Sequence, residues 1–486
     1  MGLLSLIIWL PLLGAAAILF VPPAQLRAIR TIALASAGAS FVLSLYAAAN
    51  FDTATGAIQF VESVAWVPEM GMAYSLGIDG LSLPMILLTT FISLACLLAS
   101  VGLTDRAKAY FAWFMLLETA VLGVFCAQDW FLFYMFWEIT LVPMFFLIGV
   151  WGGERKGPAS LSFFLYTLGG SIFMLLGIIA VYANSASHTF DMAVLQESTG
   201  TLSVEVQAMI FLGFFLGLAV KIPAFPLHGW LPLAHVEAPV PVSMFLSAIL
   251  LKMGAYGLFR AGVLLPLGLE YFLPILFGLG LVNIVYGALM AWRQTDLKAM
   301  VAFSSISHMG FVLVGVAAFT VTGFTGAVMQ MVTHGIITAA LFFLIGVIYE
   351  QAHTRDIGDF SGMSRQMPYF GVFFAVALLA SMGLPGLAGF ISEFHVILGA
   401  FENWGLYVAI VSIGVLVTAD YSLRTIGSTL TGPFEQRWAH LRDVSPQQML
   451  VALPLTILIV GIGIFPSPLL NIINPTVTQI ISVVSK

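Results

Sequence analysis

Long apolar runs separated by short polar stretches occupy nearly the whole chain. Runs able to cross about 30 Å of hydrocarbon fall at 3–22, 29–50, 77–103, 108–127, 129–151, 159–183, 206–236, 240–266, 271–292, 298–320, 324–350, 369–400, 404–424 and 447–472. They predict an all-α membrane protein of about fourteen transmembrane helices. The first run, MGLLSLIIWLPLLGAAAILFVPP, has neither a basic leader nor a small-residue cleavage site, so it is expected to remain as a helix. The seventh and twelfth runs are longer than a crossing needs and carry KIPAFP and SMGLPGLAGFISEFHV. Proline and glycine there predict broken helices.

The basic residues give an independent check on the count. With the N-terminus outside, inner loops and helix ends hold Arg27, Arg30, Arg106, Lys108, Arg155, Lys156, Arg293, Lys298, Arg355, Arg365, Arg424, Arg437 and Arg442, which are 13 of the 17 Lys and Arg. Lys221, Lys252 and Arg260 fall within spans, and only Lys486 falls outside. The opposite side collects Asp52, Glu62, Glu69, Asp191, Glu197 and Glu205. A missed span would scramble this alternation, so the positive-inside rule places both termini on the outer side.

Composition agrees with a membrane setting: 60% hydrophobic residues and 8% charged, with mean hydropathy +1.05, against about 25% charged in soluble proteins. Cys96 and Cys126 lie in separate apolar runs and form no disulfide or CxxC pattern. There is no nucleotide-binding glycine loop, iron–sulfur cysteine cluster or haem spacing. The chain therefore shows no energy source of its own.

Paired interrupted spans at matching places point to a transporter built from inverted repeats. Lys221 and Glu393 are 172 residues apart, Glu138 and His308 are 170, and Lys252 and Asp420 are 168. Spans four to eight thereby map onto spans nine to thirteen, and an odd number of helices per unit inverts the second copy. The expected organisation is 1–107 as an N-terminal three-helix segment, 108–266 and 267–430 as the two five-helix repeats, and 431–486 as a C-terminal helix.

Ionisable groups at membrane depth are costly and usually line a cavity or a proton route. Glu138 sits mid-span in DWFLFYMFWEITLVPMFFLIGVW; beside an ammonium it could ionise, and the pair would then respond to any third charge. The plainer reading is a glutamate hydrogen-bonded to neighbouring helices. Lys221 follows some fifteen apolar residues and immediately precedes a helix break, with Lys252 in the next span about as deep. Both suit reversible protonation better than snorkelling. His308 (SSISHMGF) and His334 (MVTHGIITA) lie in adjacent spans, and imidazole can both accept and donate a proton near neutrality. A single such histidine would more simply be a satisfied core group.

His228 and His235, two helical turns apart near the inner mouth, are possible inner-side uptake groups, and their spacing argues against a metal. Glu393, after the second break, could exchange protons with the outer face or simply stabilise the discontinuity. Glu118 reads equally as structural or functional, and Asp420 as a helix-end partner of Arg424 or a transport group.

FWEITLVPMFFLIG, VKIPAFPLHGWLPLAHVEAPVPVSMFLSAILLKMGAYGL, DLKAMVAFSSISHMGF, MQMVTHGIITAALFFLIG and GLPGLAGFISEF occur in order across about 110–430. Together they resemble the antiporter-like subunits of respiratory complex I, the proton-pumping NADH:quinone oxidoreductase. The acid at Glu393, where other branches carry lysine, is similar to the M-type (mitochondrial subunit 4 type) branch, and the length fits that branch.

The resemblance implies fourteen helices in two inverted five-helix units. It implies that Glu138 pairs with Lys221, and that a proton passes through Lys252, waters, His308 and His334 to Glu393 for release outside. It also implies that no cofactor sits in this chain: flavin, iron–sulfur clusters and quinone belong to other subunits, whose quinone reduction supplies the drive. The implied partners are the other membrane-arm subunits, especially the L-type and N-type chains, in a bacterial cytoplasmic membrane. The alternatives are a subunit of an Mrp-type sodium/proton antiporter or membrane-bound hydrogenase, and a structural subunit that transports nothing.

Overall fold

A computed structural model describes residues 2–484; Lys486 lies outside the described residues. Spans 1 to 6 are Leu3–Phe20, Leu26–Ala49, Ser82–Ala99, Ala107–Cys126, Trp130–Trp151 and Lys156–Asn184. Span 7 is Val204–Lys221, resumed after a break by Trp230–Glu237. Spans 8 to 11 are Val240–Leu264, Pro266–Trp292, Leu297–Ala317 and Val321–Ala352. Span 12 joins Pro368–Ser381 to Ala388–Trp404, and spans 13 and 14 are Val411–Leu430 and Pro446–Ile464.

Local chemistry sets several of the helix starts. Asp129 accepts hydrogen bonds from Phe131 and Leu132 N–H at 2.9 Å, and Asp296 from Ala299 N–H at 3.0 Å. Each satisfies backbone donors that a helix start leaves without internal partners. Ser445 opens span 14 with a capping box to Gln448. Within span 5, Pro143 cannot donate to Ile139, and the regular helix is interrupted at Thr140, two residues after Glu138.

Spans 8, 10 and 11 form the centre: their most apolar windows are 100%, 94% and 100% buried, against 28% for spans 2 and 14. A helix enclosed on all sides needs no polar face, so any polar residue it carries faces protein. Close approach there depends on glycine. A Cβ on Gly399 would collide with the backbone of Gly323 in span 11. Gly399→Val is therefore expected to cost about 1–3 kcal/mol by overpacking. Thermal unfolding of the detergent-purified protein checks this, and an unchanged melting temperature would mean that spans 11 and 12 separate freely.

Both interrupted spans break where proline and glycine predicted. In span 7 the break covers 222–229, and Asn283 of span 9 bridges it, donating to Pro223 C=O (3.1 Å) and accepting from Phe225 N–H (2.8 Å). Non-helical backbone at membrane depth requires such partners. In span 12 the break covers 382–387, with Gly383 and Gly386 at φ +77° and +92°.

Two elements depart from the sequence reading. The run expected at 77–103 begins as a strand, because Gln59–Val67 and Met72–Ile78 form an antiparallel hairpin before the helix starts at Ser82. Glu62 of this hairpin accepts from Leu4 N–H (2.7 Å) and Ser5 Oγ (2.5 Å), closing the start of span 1. The last run, expected as one helix to 472, ends at Ile464; Pro466 follows and a separate helix, Ser467–Val484, turns one apolar face inward. Its Thr476 Oγ1 accepts from Gly80 N–H at 2.9 Å, and its Asn474 accepts from Thr325 at 2.9 Å. The hairpin and this helix share one end of the bundle, the terminal end. Lys108, bonded to Leu19 C=O, and Arg30, bonded to Leu103 C=O, mark the opposite, basic end.

Candidate functional site

Polar side chains of the central spans meet in a single line. In span 8 a π-helical stretch, Leu246–Leu250, ends two residues before Lys252; such insertions recur at functional sites because they re-aim the residues that follow. Lys252 Nζ donates to Ser247 C=O and lies against His334 Nδ1 of span 11, both at 2.6 Å. The rings of His334 and His308 (span 10) are 5.5 Å apart. His308 Nδ1 reaches Glu393 Oε1 at 3.0 Å, and its Nε2 reaches Ser381 Oγ at 3.1 Å.

A cavity of about 10 Å³ touches His308, His334, Gln330, Thr333, Ser381 and Glu393, close to the space one water needs. The second break holds this end open. A Cβ on Gly383 would stand 2.9 Å from Glu393 Oε2, so glycine meets both the positive φ and the room for the carboxylate.

Lys221 is fully buried, and its ammonium has no hydrogen-bond partner among the described residues. It sits over the faces of Trp137 (5.5 Å) and Phe163 (5.2 Å), an aromatic enclosure that favours a cation without fixing it. Glu138, next to Trp137, is within electrostatic reach, yet its Oε1 is also buried and unpartnered. The expected Glu138–Lys221 pair is thus not a contact ion pair. Its members are neighbours held apart, and they can interact through water or through a small side-chain movement.

Towards the basic end, His235 is fully buried, stacks on Phe342 with ring centres 4.7 Å apart, and has no partner on either nitrogen. Lys252 and Lys298 both lie within its electrostatic reach. Lys298, counted above among inner-loop charges, is only 3% exposed and donates to Ala238 C=O at 2.6 Å. It lies at the floor of a cavity of about 760 Å³ that opens among Glu154, Arg155, Glu237, Asp296 and Arg355. His228 stands apart: it stacks on Phe225 and meets Tyr286 Oη at 3.3 Å.

The two secondary candidates lie off the line. Glu118 is fully buried opposite Ser93 of span 3, with neither group closing a hydrogen bond. Asp420 does not pair with Arg424; it accepts from Trp292 Nε1 at 2.6 Å while Arg424 donates to Trp292 C=O at 2.6 Å. Both residues fasten span 13 to span 9.

The sequence reading passed over Asn283, Ser381 and Lys298. Asn283 had a usable signal, being the one side-chain amide in a 27-residue span. Lys298 had none, because a lysine two residues after a helix-capping aspartate looks like any loop charge.

Between Glu138 and Glu393, then, lies a series of groups that can each hold or pass a proton, several of them lacking permanent partners. Such a series is suited to proton transfer.

Residues 127–418 match the family described as NADH:quinone oxidoreductase/Mrp antiporter, transmembrane. The chain is 37% identical to NADH-quinone oxidoreductase subunit M of Rickettsia felis, over 99% of this chain and 98% of that one. It is 42% identical to NAD(P)H-quinone oxidoreductase chain 4 1 of Picosynechococcus, covering 94% and 87%. Among solved structures it superposes on a chain of respiratory complex I from Thermus thermophilus with TM-score 0.91 and 29% identity over 99% of both chains. It also shares its fold with a chain of the Mrp complex from Dietzia, with TM-score 0.85, 23% identity and coverage of 97% and 52%.

Proposed function

Because the chain belongs to the NADH:quinone oxidoreductase/Mrp antiporter transmembrane family, we propose that it is the M-type subunit of a bacterial NADH:quinone oxidoreductase, moving protons through the line from Lys252 to Glu393. The observation that carries this reading is that two contacts, Lys252–His334 and His308–Glu393, face each other across a gap of 5.5 Å between the two imidazole rings. Protons are taken up from the basic end through the cavity floored by Lys298, pass His235 to reach Lys252, and cross by way of His334 and His308. Glu393, beside the opening in span 12, releases them towards the terminal end, which faces outward in the cytoplasmic membrane.

Lys221 and Glu138 act as the control on this line. A charged Lys221 opposes a proton on Lys252, and Glu138 sets how strongly Lys221 holds its own charge. Other subunits of the membrane arm, L-type and N-type chains among them, flank it. Flavin, iron–sulfur clusters and quinone in those other subunits supply the drive.

The test is the composition and output of the intact assembly. Mass spectrometry of the purified complex should find flavin- and iron–sulfur-bearing subunits, and NADH oxidation in liposomes should acidify one side. An assembly without redox subunits that exchanges Na⁺ for H⁺ would replace this reading with the Mrp-type one. Within the chain, His235→Leu is expected to lower the proton-to-electron ratio severalfold while the complex still assembles. Pumping at the full ratio would show that uptake bypasses His235.

A further inference from the structure

Lys252 has a second neighbourhood, towards the terminal end along its own helix. Residues four apart share a helix face, so Tyr256 and Arg260 stand one and two turns from Lys252 in the direction of release. The Lys252 ammonium itself turns back to Ser247 C=O, and Tyr256 is the next ionisable side chain along span 8 on the terminal side. The Tyr256 hydroxyl donates to Phe125 C=O (3.1 Å) and accepts from Arg260 Nε (3.0 Å), with Ser82 Oγ 2.9 Å away. Arg260 in turn makes a two-pronged ion pair with Asp79, NH1 to Oδ2 at 2.7 Å and NH2 to Oδ1 at 2.9 Å, and its NH2 also donates to Ser82 Oγ at 3.0 Å. Asp79 further accepts from Leu81 and Ser82 N–H at 3.0 and 2.9 Å. Burial opposes the charged form of this carboxylate, but Arg260 and the two N–H groups hold its proton affinity below the ordinary range.

The contrast with the transfer line, its uptake group and its control pair is chemical. Lys221, His235, His334 and Glu138 each keep a polar atom without a partner, so each can take up a proton or a water. Around Arg260 no oxygen is free. Every acceptor is occupied by a backbone N–H, a hydroxyl or a guanidinium, and a guanidinium neither accepts a proton nor gives one up at physiological pH. The Arg260 and Asp79 side chains are 10% and 3% exposed, which leaves water little access.

We propose that the Asp79–Arg260–Tyr256 cluster is a proton seal, which blocks direct escape from Lys252 to the terminal side and leaves His334 as its only outlet. The three are positioning residues that exchange no proton themselves. The inference rests on the proton-translocating reading above and adds to it the element that keeps transfer lateral.

The experiment uses the whole complex in liposomes and reads passive proton leak without NADH, together with the proton-to-electron ratio during turnover. Asp79→Asn weakens the two-pronged pair and lets water reach Tyr256. It is expected to raise the leak severalfold and lower the ratio, with NADH:quinone reductase turnover retained. Adding Lys252→Met should remove the excess leak, because the leak path starts at that lysine; a merely loosened fold would leak regardless. Arg260→Lys covers the case in which Asp79→Asn fails to assemble, since it retains the charge but loses the fork, and a partial leak is expected. Assembled variants as tight as the parent, or a leak that persists without Lys252, would overturn the seal. If the parent complex produced no NADH-driven acidification, the translocation reading itself would fail, whatever the leak result.

Discussion

Lys221→Ala is expected to reduce NADH:quinone reductase turnover of the assembled complex by about tenfold or more and to abolish its proton pumping. Lys221 touches none of the groups in the transfer line, so the effect must come through charge. Two unit charges about 8 Å apart at an effective dielectric near 20 interact by about 2 kcal/mol, and each 1.36 kcal/mol is about one pKa unit. A charge at that range changes the proton affinity of an ammonium by more than an order of magnitude. Removing it leaves Lys252 in one protonation state through the cycle. Because the Lys221 ammonium makes no hydrogen bond and rests between aromatic faces, alanine breaks no network and the fold should survive. Blue-native gels establish assembly, and NADH-driven acidification of liposomes reads function. Normal pumping by an assembled Lys221→Ala complex would remove this residue from the mechanism.

Glu393→Gln should be nearly as severe, with a different signature. The amide keeps the shape and can still bond His308, so assembly and the span 12 break should persist. What is lost is the only carboxylate of the central line, the group that faces His308 Nδ1. Pumping by this subunit is expected to stop while Glu393→Asp, which keeps the acid but shortens its reach, recovers part of it. Equal loss in Gln and Asp variants would point to packing around Gly383 as the cause, and full activity in Glu393→Gln would place release elsewhere.

Much of this site was legible in the sequence because hydrocarbon is an unforgiving solvent. Lys221, Lys252, His308, His334 and Glu393 each stand out against apolar neighbours, and all five are buried in the structure. The breaks in spans 7 and 12 were equally visible, since KIPAFP and GLPG cannot continue a regular helix. The hairpin at 59–78 was not visible, because QFVESVAWV mixes apolar and polar residues with no clean alternation and lies outside any long run. The end of span 14 was hidden for the opposite reason. Apolar residues continue past Pro466, and only their grouping on one face distinguishes a surface-lying helix from more of the crossing. Relations between residues were the hardest to read. Spacing suggested that Asp420 matched Lys252, but the Trp292 indole of span 9 holds it at the periphery.

The bond from Gly80 to Thr476 joins residues 396 positions apart. During translation the hairpin, span 1 and most of the bundle are made long before their last tie exists, and the terminal face can close only after the final helix leaves the ribosome. A chain stopped after Ile464 would hold every crossing and every residue of the transfer line, yet leave that face unfinished. Premature termination ahead of Ser467 should therefore yield a protein that inserts into the membrane and is then degraded.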